Sequence, residues 1–260
     1  MEEMNRSTIA IIPARMGSSR FPGKPLENIC GIPMIGHVYK RVKMSKHLDY
    51  VFVATCDKEI FDYIESIGGN AVMTSDSHER CTDRTAEAVE IIELEKNIEF
   101  EIVLMVQGDE PMVTPTMIES SIEAMLEDNK VNVVNLIAKI NSKEEFEDPN
   151  EVKVVKDLKE NALYFSREPI PSMKKFDHAT DWFKQVCIIP FRRDYLFKFN
   201  ELLPTPLEEV ESVDMMRILE HGESVKCVEI TEKNFSVDTR EDLEKVEELM
   251  SVDPLIECYK

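Results

Sequence analysis

The chain has 260 residues, of which 43% are hydrophobic, so it is long enough to bury one substantial core. Its formal net charge of −20 argues against a nucleic-acid partner, because binding a phosphate backbone needs a basic surface. The acidic N-terminus is neither a signal nor a transit peptide, and no stretch approaches the roughly 20 apolar residues that span a bilayer, so we expect a cytoplasmic protein.

Short apolar or β-branched runs alternate with helical patterns along the first part of the chain. Strands are predicted at 9–13, 50–55, 102–106, 131–138 and 152–156, and helices at 34–45, 58–67, 82–96 and 114–127. This alternation predicts an α/β fold with a doubly wound, mostly parallel sheet. Towards the C-terminus a helix is predicted at 207–221, a strand at 225–230 and a helix at 239–250.

The pattern changes between about residues 159 and 203, where prolines and aromatic residues crowd together. We interpret 159–203 as an excursion within a single domain spanning 1–260, and predict an antiparallel flap that covers a substrate or pairs with a second subunit. The alternative is that these aromatic side chains belong to the core.

The N-terminal segment (residues 11–26) is a turn of small and basic residues after a buried strand. Its small residues are Gly17, Ser18 and Ser19, and its cations are Arg15, Arg20 and Lys24. The small residues permit tight turns whose backbone N–H groups face a phosphate chain, and the cations can neutralise it. The segment matches neither the P-loop nor the dinucleotide-binding glycine motif. The alternative interpretation is a basic surface turn.

Two acidic positions are candidate metal ligands. Asp109 follows the apolar strand 102–106, at the sheet edge where open α/β folds bind ligands. Mg²⁺ takes one or two protein carboxylates together with phosphate oxygens and water, although Asp109 or Glu110 can instead cap the next turn. Asp238 is a second candidate if Thr239 caps the last helix, a choice that spacing leaves open. The six cysteines form no C-x-x-C pair, which argues against a zinc site.

The polar loop at residues 73–84 leads into a predicted helix. His78, Arg80 and Arg84 in this loop can contact a base or a phosphate. The alternative is a solvated loop whose helix is capped by Thr82 or Asp83.

Together these segments resemble the CMP-Kdo synthetases (3-deoxy-manno-octulosonate cytidylyltransferases; Kdo is the 3-deoxy-manno-octulosonate acceptor), and more loosely the acylneuraminate cytidylyltransferases. The resemblance runs over about residues 8–250. It rests on Ile12-Pro-Ala-Arg-x-x-Ser-Ser-Arg-x-Pro-Gly-Lys-Pro-Leu26, Met73-Thr74 with His78, Thr82-Asp83-Arg84, Val106-Gln-Gly-Asp-Glu-Pro-Met112, Pro149-Asn150-x-Val-Lys-Val-Val155, Ala162-Leu-Tyr-Phe-Ser-Arg167, Pro206-Leu-Glu208, Arg217, and Val237-Asp238-Thr-x-Glu-Asp-Leu243.

The resemblance implies a Rossmann-like nucleotidyltransferase fold, and transfer of CMP from CTP to the anomeric hydroxyl of an acidic sugar with release of pyrophosphate. It also implies a homodimer working in lipopolysaccharide or capsule biosynthesis. Arg15 and Lys24 would neutralise the triphosphate as catalytic residues, and Asp109 and Asp238 would hold Mg²⁺. From the residues and the resemblance together, the candidate nucleotide-binding residues are Pro13, Ala14, Arg15, Gly17, Ser18, Ser19, Arg20, Lys24, Thr74, His78, Arg80, Arg84 and Gln107.

The chain departs from the family pattern on the acceptor side. Gln185 and Ile189 stand where the family has a His and a Tyr, Asp214-Met215 replaces a Glu-Gln pair, and Arg80-Cys81 replaces Ser-Gly. The implied acceptor-binding residues are Gln107, Arg167, Gln185, Ile189, Asp214 and Arg217, with Arg192 as a further cation for an anionic group.

These departures fit either drift within a Kdo-using enzyme or a different acidic acceptor. Losing hydrogen-bond partners of a polar sugar should cost orders of magnitude in selectivity, so the second explanation is favoured. A modified Kdo, another 2-keto sugar acid and a phosphonate all fit this expectation. Two other hypotheses of function stay open. One is an enzyme of the same fold that uses another nucleoside triphosphate, and the other is a nucleotide-binding protein without catalytic activity.

Overall fold

The computed structural model describes residues 7–17, 20–172 and 181–260. The strands are Thr8–Pro13 (β1), Asn28–Ile29 (β2), Ile32–Pro33 (β3), Tyr50–Thr55 (β4), Ala71–Met73 (β5), Ile102–Val106 (β6), Val134–Lys139 (β7), Lys153–Lys156 (β8), Ala162–Ser166 (β9), Phe183–Val186 (β10), Ile188–Arg192 (β11) and Lys226–Ile230 (β12). The α-helices are Met34–Val42 (α1), Lys58–Ser66 (α2), Cys81–Lys96 (α3), Pro115–Glu127 (α4), Lys143–Glu147 (α5), Arg193–Glu201 (α6), Pro206–Glu211 (α7), Met215–Glu220 (α8) and Arg240–Met250 (α9).

The main sheet has β1 at its centre, in the strand order β11-β6-β1-β4-β5. β6, β1, β4 and β5 run parallel, and β11 closes one edge antiparallel to β6. Every residue of β1 and β6 is buried, as expected for continuous apolar strands covered on both faces. The predicted doubly wound, mostly parallel α/β sheet is confirmed.

Successive side chains of β1 point to opposite faces and enter two different cores. Ile9 and Ile11 pack into a core that also contains apolar residues of α3 and α6. Ala10 and Ile12 pack into a core with apolar residues of α1, α2 and α4. The helices therefore cover both faces of the main sheet.

A second sheet of the described residues has the strand order β12-β7-β10-β8-β9. β12 runs parallel to β7, and the other pairs are antiparallel. The two sheets meet where Val133 forms an isolated bridge with Phe191 of β11 and Arg192 donates its backbone N–H to Asn132 O at 2.8 Å. At the other end of β11, its antiparallel pairing with β6 places Ile188 opposite Val106, the last residue of β6.

The 159–203 excursion contributes β9 and β10 to the second sheet and β11 to the edge of the main sheet. Phe183, Phe191, Tyr195 and Phe199 are all at most 8% exposed and lie in the core, as in the alternative interpretation of this segment. Residues 173–180 lie outside the described part. The flap and the homodimer stay predictions.

The predicted helix at 207–221 is wrong in one respect, because the structure divides it into α7 and α8. Ser212 ends α7 in the left-handed conformation, with φ of 53°, which reverses the chain before α8 begins. The break places residues 212–215 on the wall of a cavity described below. Within the described ranges, no helix is long and apolar enough to cross a membrane.

Candidate active site

The N-terminal segment leaves β1 at the carboxyl edge of the main sheet. Met16 donates its backbone N–H to the Asp57 carboxylate at 2.7 Å, which ties the segment to the end of β4. Gly23 has φ of +78°, a backbone conformation that glycine adopts without strain. It precedes a short 3-10 helix that begins at Lys24. This turn directs Lys24 back towards the sheet edge. Ser18 and Ser19 lie outside the described residues.

Lys24 lies between the two predicted metal ligands. Its Nζ is 2.8 Å from Asp109 Oδ2 and 3.7 Å from Asp238 Oδ1, and it also donates to Val237 O at 2.6 Å. Burial alone would lower the pKa of Lys24, but the two carboxylates outweigh burial and raise it. The lysine is therefore held as a cation at the point where both acids converge.

Asp109 reaches this point because the loop after β6 passes close to the loop after β1. A Cβ on Gly108 would lie only 3.0 Å from Pro13 O and 3.2 Å from Ile35 Cδ1, so a side chain there would push the two loops apart. The helix that follows, α4, is capped by Thr114 and not by Asp109 or Glu110.

Asp238 is carried by the segment before α9. Val237 donates its backbone N–H to Asp109 O at 3.0 Å, which joins the two acidic loops directly. Thr239 is the N-cap of α9 and forms a capping box with Asp242, so Asp238 has no capping role. Burial first, and then the nearby charge of Asp109, raises the pKa of Asp238.

The arrangement of Asp109 and Asp238 suits Mg²⁺ bound together with a polyphosphate. Among the described residues, no cluster of three or more His, Cys, Asp or Glu side chains is arranged to hold a metal by itself. Two carboxylates are the usual protein contribution to a Mg²⁺ whose remaining ligands are phosphate oxygens and water. Asp238 already lies beside two cations, with Arg20 at 2.9 Å and Lys24 at 3.7 Å, so its carboxylate faces positive charge in this structure.

The first cavity, of about 420 Å³, lies above Lys24 at the sheet edge. Its lining contains these predicted nucleotide-binding residues: Pro13, Ala14, Arg15, Gly17, Arg20, Lys24, His78, Arg80, Arg84 and Gln107. Thr74 is not on the lining. It is buried and accepts a hydrogen bond from Arg84 at 2.5 Å, and Arg84 also donates to Ser75 O, so this pair shapes the 73–84 loop.

The second cavity, of about 370 Å³, adjoins the first and shares with it Arg15, Arg20, Arg80, Gln107, Asp109 and Asp238. The predicted acceptor-binding residues on its lining are Gln107, Arg167, Gln185, Ile189 and Asp214. Gln185 donates to Asn135 Oδ1 at 2.6 Å, which fixes its amide. Ile189 is only 2% exposed and adds an apolar surface to the floor.

Arg217 and Arg192 do not line either cavity. The guanidinium of Arg217 is buried and binds both oxygens of Glu208, at 2.6 and 2.7 Å. Arg192 pairs with Glu101 at 2.8 Å at the end of β11 that lies opposite the start of β6, whereas Asp109 follows the carboxyl end of β6. Of the three arginines expected near an anionic acceptor, only Arg167 faces the second cavity.

Glu110 is a site residue that sequence reasoning treated only as a possible cap. Its side chain is 2% exposed and accepts hydrogen bonds from Asn234 Nδ2 at 2.7 Å and from the backbone N–H of Cys187 at 3.1 Å. Burial, and secondly the charge of Asp109, raises the pKa of Glu110 to about 7. The available signal was its place in a short loop between a fully apolar strand and a proline.

The chain matches known cytidylyltransferases over nearly its whole length. The family model described as cytidylyltransferase matches residues 9–230. The 3-deoxy-manno-octulosonate cytidylyltransferase of Fusobacterium nucleatum is 42% identical, over 92% of this chain and 94% of the relative. That of Thermodesulfovibrio yellowstonii is 43% identical, over 94% and 98%. A solved structure of CMP:2-keto-3-deoxy-manno-octonic acid synthetase complexed with CTP is 38% identical, with a TM-score of 0.84, over 94% and 98%.

Proposed function

The chain belongs to the 3-deoxy-manno-octulosonate cytidylyltransferase family, and on that premise we propose that it transfers CMP from CTP to a Kdo-type sugar acid, with Mg²⁺ as cofactor and release of pyrophosphate. The observation that carries this proposal is the convergence of Asp109, Asp238 and Lys24 where two cavities meet. One cavity suits a nucleotide and the other a smaller polar acceptor.

The cations of the first cavity would hold the triphosphate. Arg15 and Lys24 can neutralise phosphate oxygens, and Asp109 and Asp238 would hold the Mg²⁺. When bound, Mg²⁺ would supply positive charge to the phosphate oxygens, including those of the departing pyrophosphate. The protein's own task is then to align the acceptor hydroxyl with the α-phosphate, because nucleotidyl transfer needs positioning more than covalent help.

Direct transfer without a CMP–enzyme intermediate fits the chemistry of the nearby thiols. Cys81 and Cys187 both line the second cavity. Burial raises the pKa of Cys81 to about 12 and that of Cys187 well above its usual value. A thiol that stays protonated at neutral pH is a poor nucleophile, so we expect the acceptor hydroxyl to attack the nucleotide itself.

A second acceptor class is favoured by one feature of the second cavity. Ile189 places an apolar side chain at the floor of the second cavity, and the side-chain amide of Gln185 donates one N–H to Asn135. A 2-keto sugar acid with a different substituent, or a phosphonate, would match this floor as an alternative to Kdo. The anionic group stays common to all of these acceptors.

The test is pyrophosphate release measured with CTP, UTP, GTP and ATP, each with Mg²⁺ or with EDTA. The acceptors are Kdo, other 2-keto sugar acids and phosphonates. We expect release only with CTP, Mg²⁺ and an acidic acceptor, and its loss in Asp109→Asn. Asp62→Asn is the matched control, because Asp62 pairs with Lys58 on an exposed face of α2. Preference for another triphosphate would refute the assignment of CTP, and no release with any acceptor would favour a binding protein.

A further inference from the structure

Arg80 and Asp214 form an ion pair that joins the 73–84 loop to the turn between α7 and α8. Arg80 Nη1 lies 3.0 Å from Asp214 Oδ1, and Thr82 Oγ1 donates to Asp214 Oδ2 at 3.0 Å. The carboxylate therefore accepts one hydrogen bond on each oxygen, both from the start of α3. This arrangement fixes the guanidinium of Arg80 in one place.

The position of Asp214 puts that guanidinium on the acceptor side. Residues 212–215 all line the second cavity, whereas only Ser212 of these lines the first. Arg80 itself lines both cavities, and its ion pair holds the guanidinium beside Asp214, which lines the second cavity and not the first.

Among the described residues, three other arginines line the second cavity, of which Arg15 is assigned to the triphosphate and the other two already donate N–H groups to protein oxygens. Arg167 donates to Glu211 O at 2.7 Å and to Pro149 O at 3.0 Å, and Arg20 donates to Asn150 and Asp238. An arginine carries five N–H donors in a planar fork. Arg80 Nη2 lies 4.0 Å from Oε1 of the buried Glu208, which is longer than a hydrogen bond. Glu208 already accepts from Arg217 on both oxygens, so Arg80 Nη2 keeps N–H donors for a ligand.

We propose that Arg80 is the specificity-determining residue that binds the carboxylate of the acceptor, and that Asp214 and Thr82 are the positioning residues that hold it. This inference rests on the proposed function for its choice of ligand. Asp214 cancels the net charge of Arg80, so the interaction is a directed, charge-assisted hydrogen bond and not a long-range attraction. A planar fork with a fixed edge distinguishes a carboxylate from a neutral ester.

The experiment compares the kinetics of the whole chain and its variants with CTP and Kdo. Arg80→Ala should raise the KM for Kdo at least about tenfold and change the KM for CTP less than about twofold. Arg80→Lys should recover only part of the loss, because it lacks the fork. The control is Arg193→Ala, which breaks a 2.8 Å ion pair with Glu93 at similar side-chain exposure, 26% against 31%, away from both cavities.

Asp214→Asn separates positioning from direct contact. It should raise the KM for Kdo by less than Arg80→Ala does, and adding it to Arg80→Ala should produce no further rise, because its effect acts through Arg80. If Arg80→Ala does not fold, as checked by circular dichroism, Arg80→Gln takes its place. Additive effects of the two substitutions would refute the positioning role.

Equilibrium binding of Kdo and of its methyl ester gives a second readout that needs no turnover. The wild type should prefer Kdo to the ester at least about tenfold, and Arg80→Ala should bind both alike. A rise in the KM for CTP alone, an unchanged preference in Arg80→Ala, or no binding of Kdo by the wild type would overturn this inference. Binding that depends on Arg80 without pyrophosphate release would instead contradict the proposed function.

Discussion

Replacing Glu110 by Gln should change how the stability of the protein depends on pH. Glu110 is buried beside Asp109, and burial is the main reason that its pKa rises from 4.5 to about 7. Between these two values the folded protein keeps a proton on Glu110 while the unfolded chain has lost it. The unfolded state binds fewer protons over this interval, so the free energy of unfolding falls as pH rises through it.

The interval gives the size of the effect. Each unit of difference between the folded and unfolded pKa is worth roughly 1.4 kcal/mol. The rise from 4.5 to about 7 therefore contributes about 3 kcal/mol to the free energy of unfolding at low pH, and this contribution is fully lost once the pH exceeds the folded pKa. Gln does not titrate and therefore lacks this contribution. The stability of the wild type relative to Glu110→Gln should fall by about 2 to 3 kcal/mol between pH 5 and pH 8.

The assay is urea unfolding in EDTA at a series of pH values, followed by circular dichroism and by the fluorescence of the single tryptophan, Trp182. Comparing the two proteins at each pH cancels the contributions of acidic residues that do not interact with Glu110. Parallel stability curves would show that Glu110 ionises normally in the folded state, and would refute the reasoning. If the stability of the wild type relative to Glu110→Gln rose with pH, the sign of the predicted effect would be wrong.

Three further outcomes follow from the site. Lys24→Met should lower kcat/KM for CTP by about 10- to 100-fold, measured as pyrophosphate release, because a buried charged donor is lost; an unchanged value would exclude phosphate contact. Asp109→Asn and Asp238→Asn should each raise the Mg²⁺ concentration for half-maximal activity at least about tenfold, and equal Mg²⁺ dependence in wild type and variants would remove both from the metal site. Gly108→Ala should cost about 1 to 3 kcal/mol in thermal unfolding, because its Cβ would lie 3.0 Å from a backbone carbonyl. Gly17→Ala is the control, since nothing lies within 4 Å of its Cβ position.

The central strands were predictable because each is a run of consecutive apolar residues, the pattern of a strand that is buried on both faces. The predicted strands 50–55 and 102–106 coincide with β4 and β6, each a run of β-branched and apolar residues covered by helices on both faces. The second sheet was not predicted as a unit. Its pairing of β10 with both β7 and β8 joins strands far apart in the chain, and no local pattern sets that register.

The candidate site was predictable where it depends on loops that follow buried strands. Asp109 and Lys24 were expected at the sheet edge, and they lie 2.8 Å apart. Arg217 was expected to face the acceptor, but it is buried in an ion pair with Glu208 and does not reach the cavity. The 73–84 loop and the α7–α8 turn departed from the family pattern separately, and only the folded chain shows that Arg80 and Asp214 touch.

The most direct test of the account is a reaction of the protein with CTP labelled at its α-phosphate, Kdo and Mg²⁺, with the label followed in both small molecules and protein. We expect the label to appear in a CMP ester of Kdo together with an equal amount of pyrophosphate, and EDTA or Asp238→Asn to prevent this. Label trapped on the protein, or pyrophosphate released without the CMP–sugar product, would contradict this expectation.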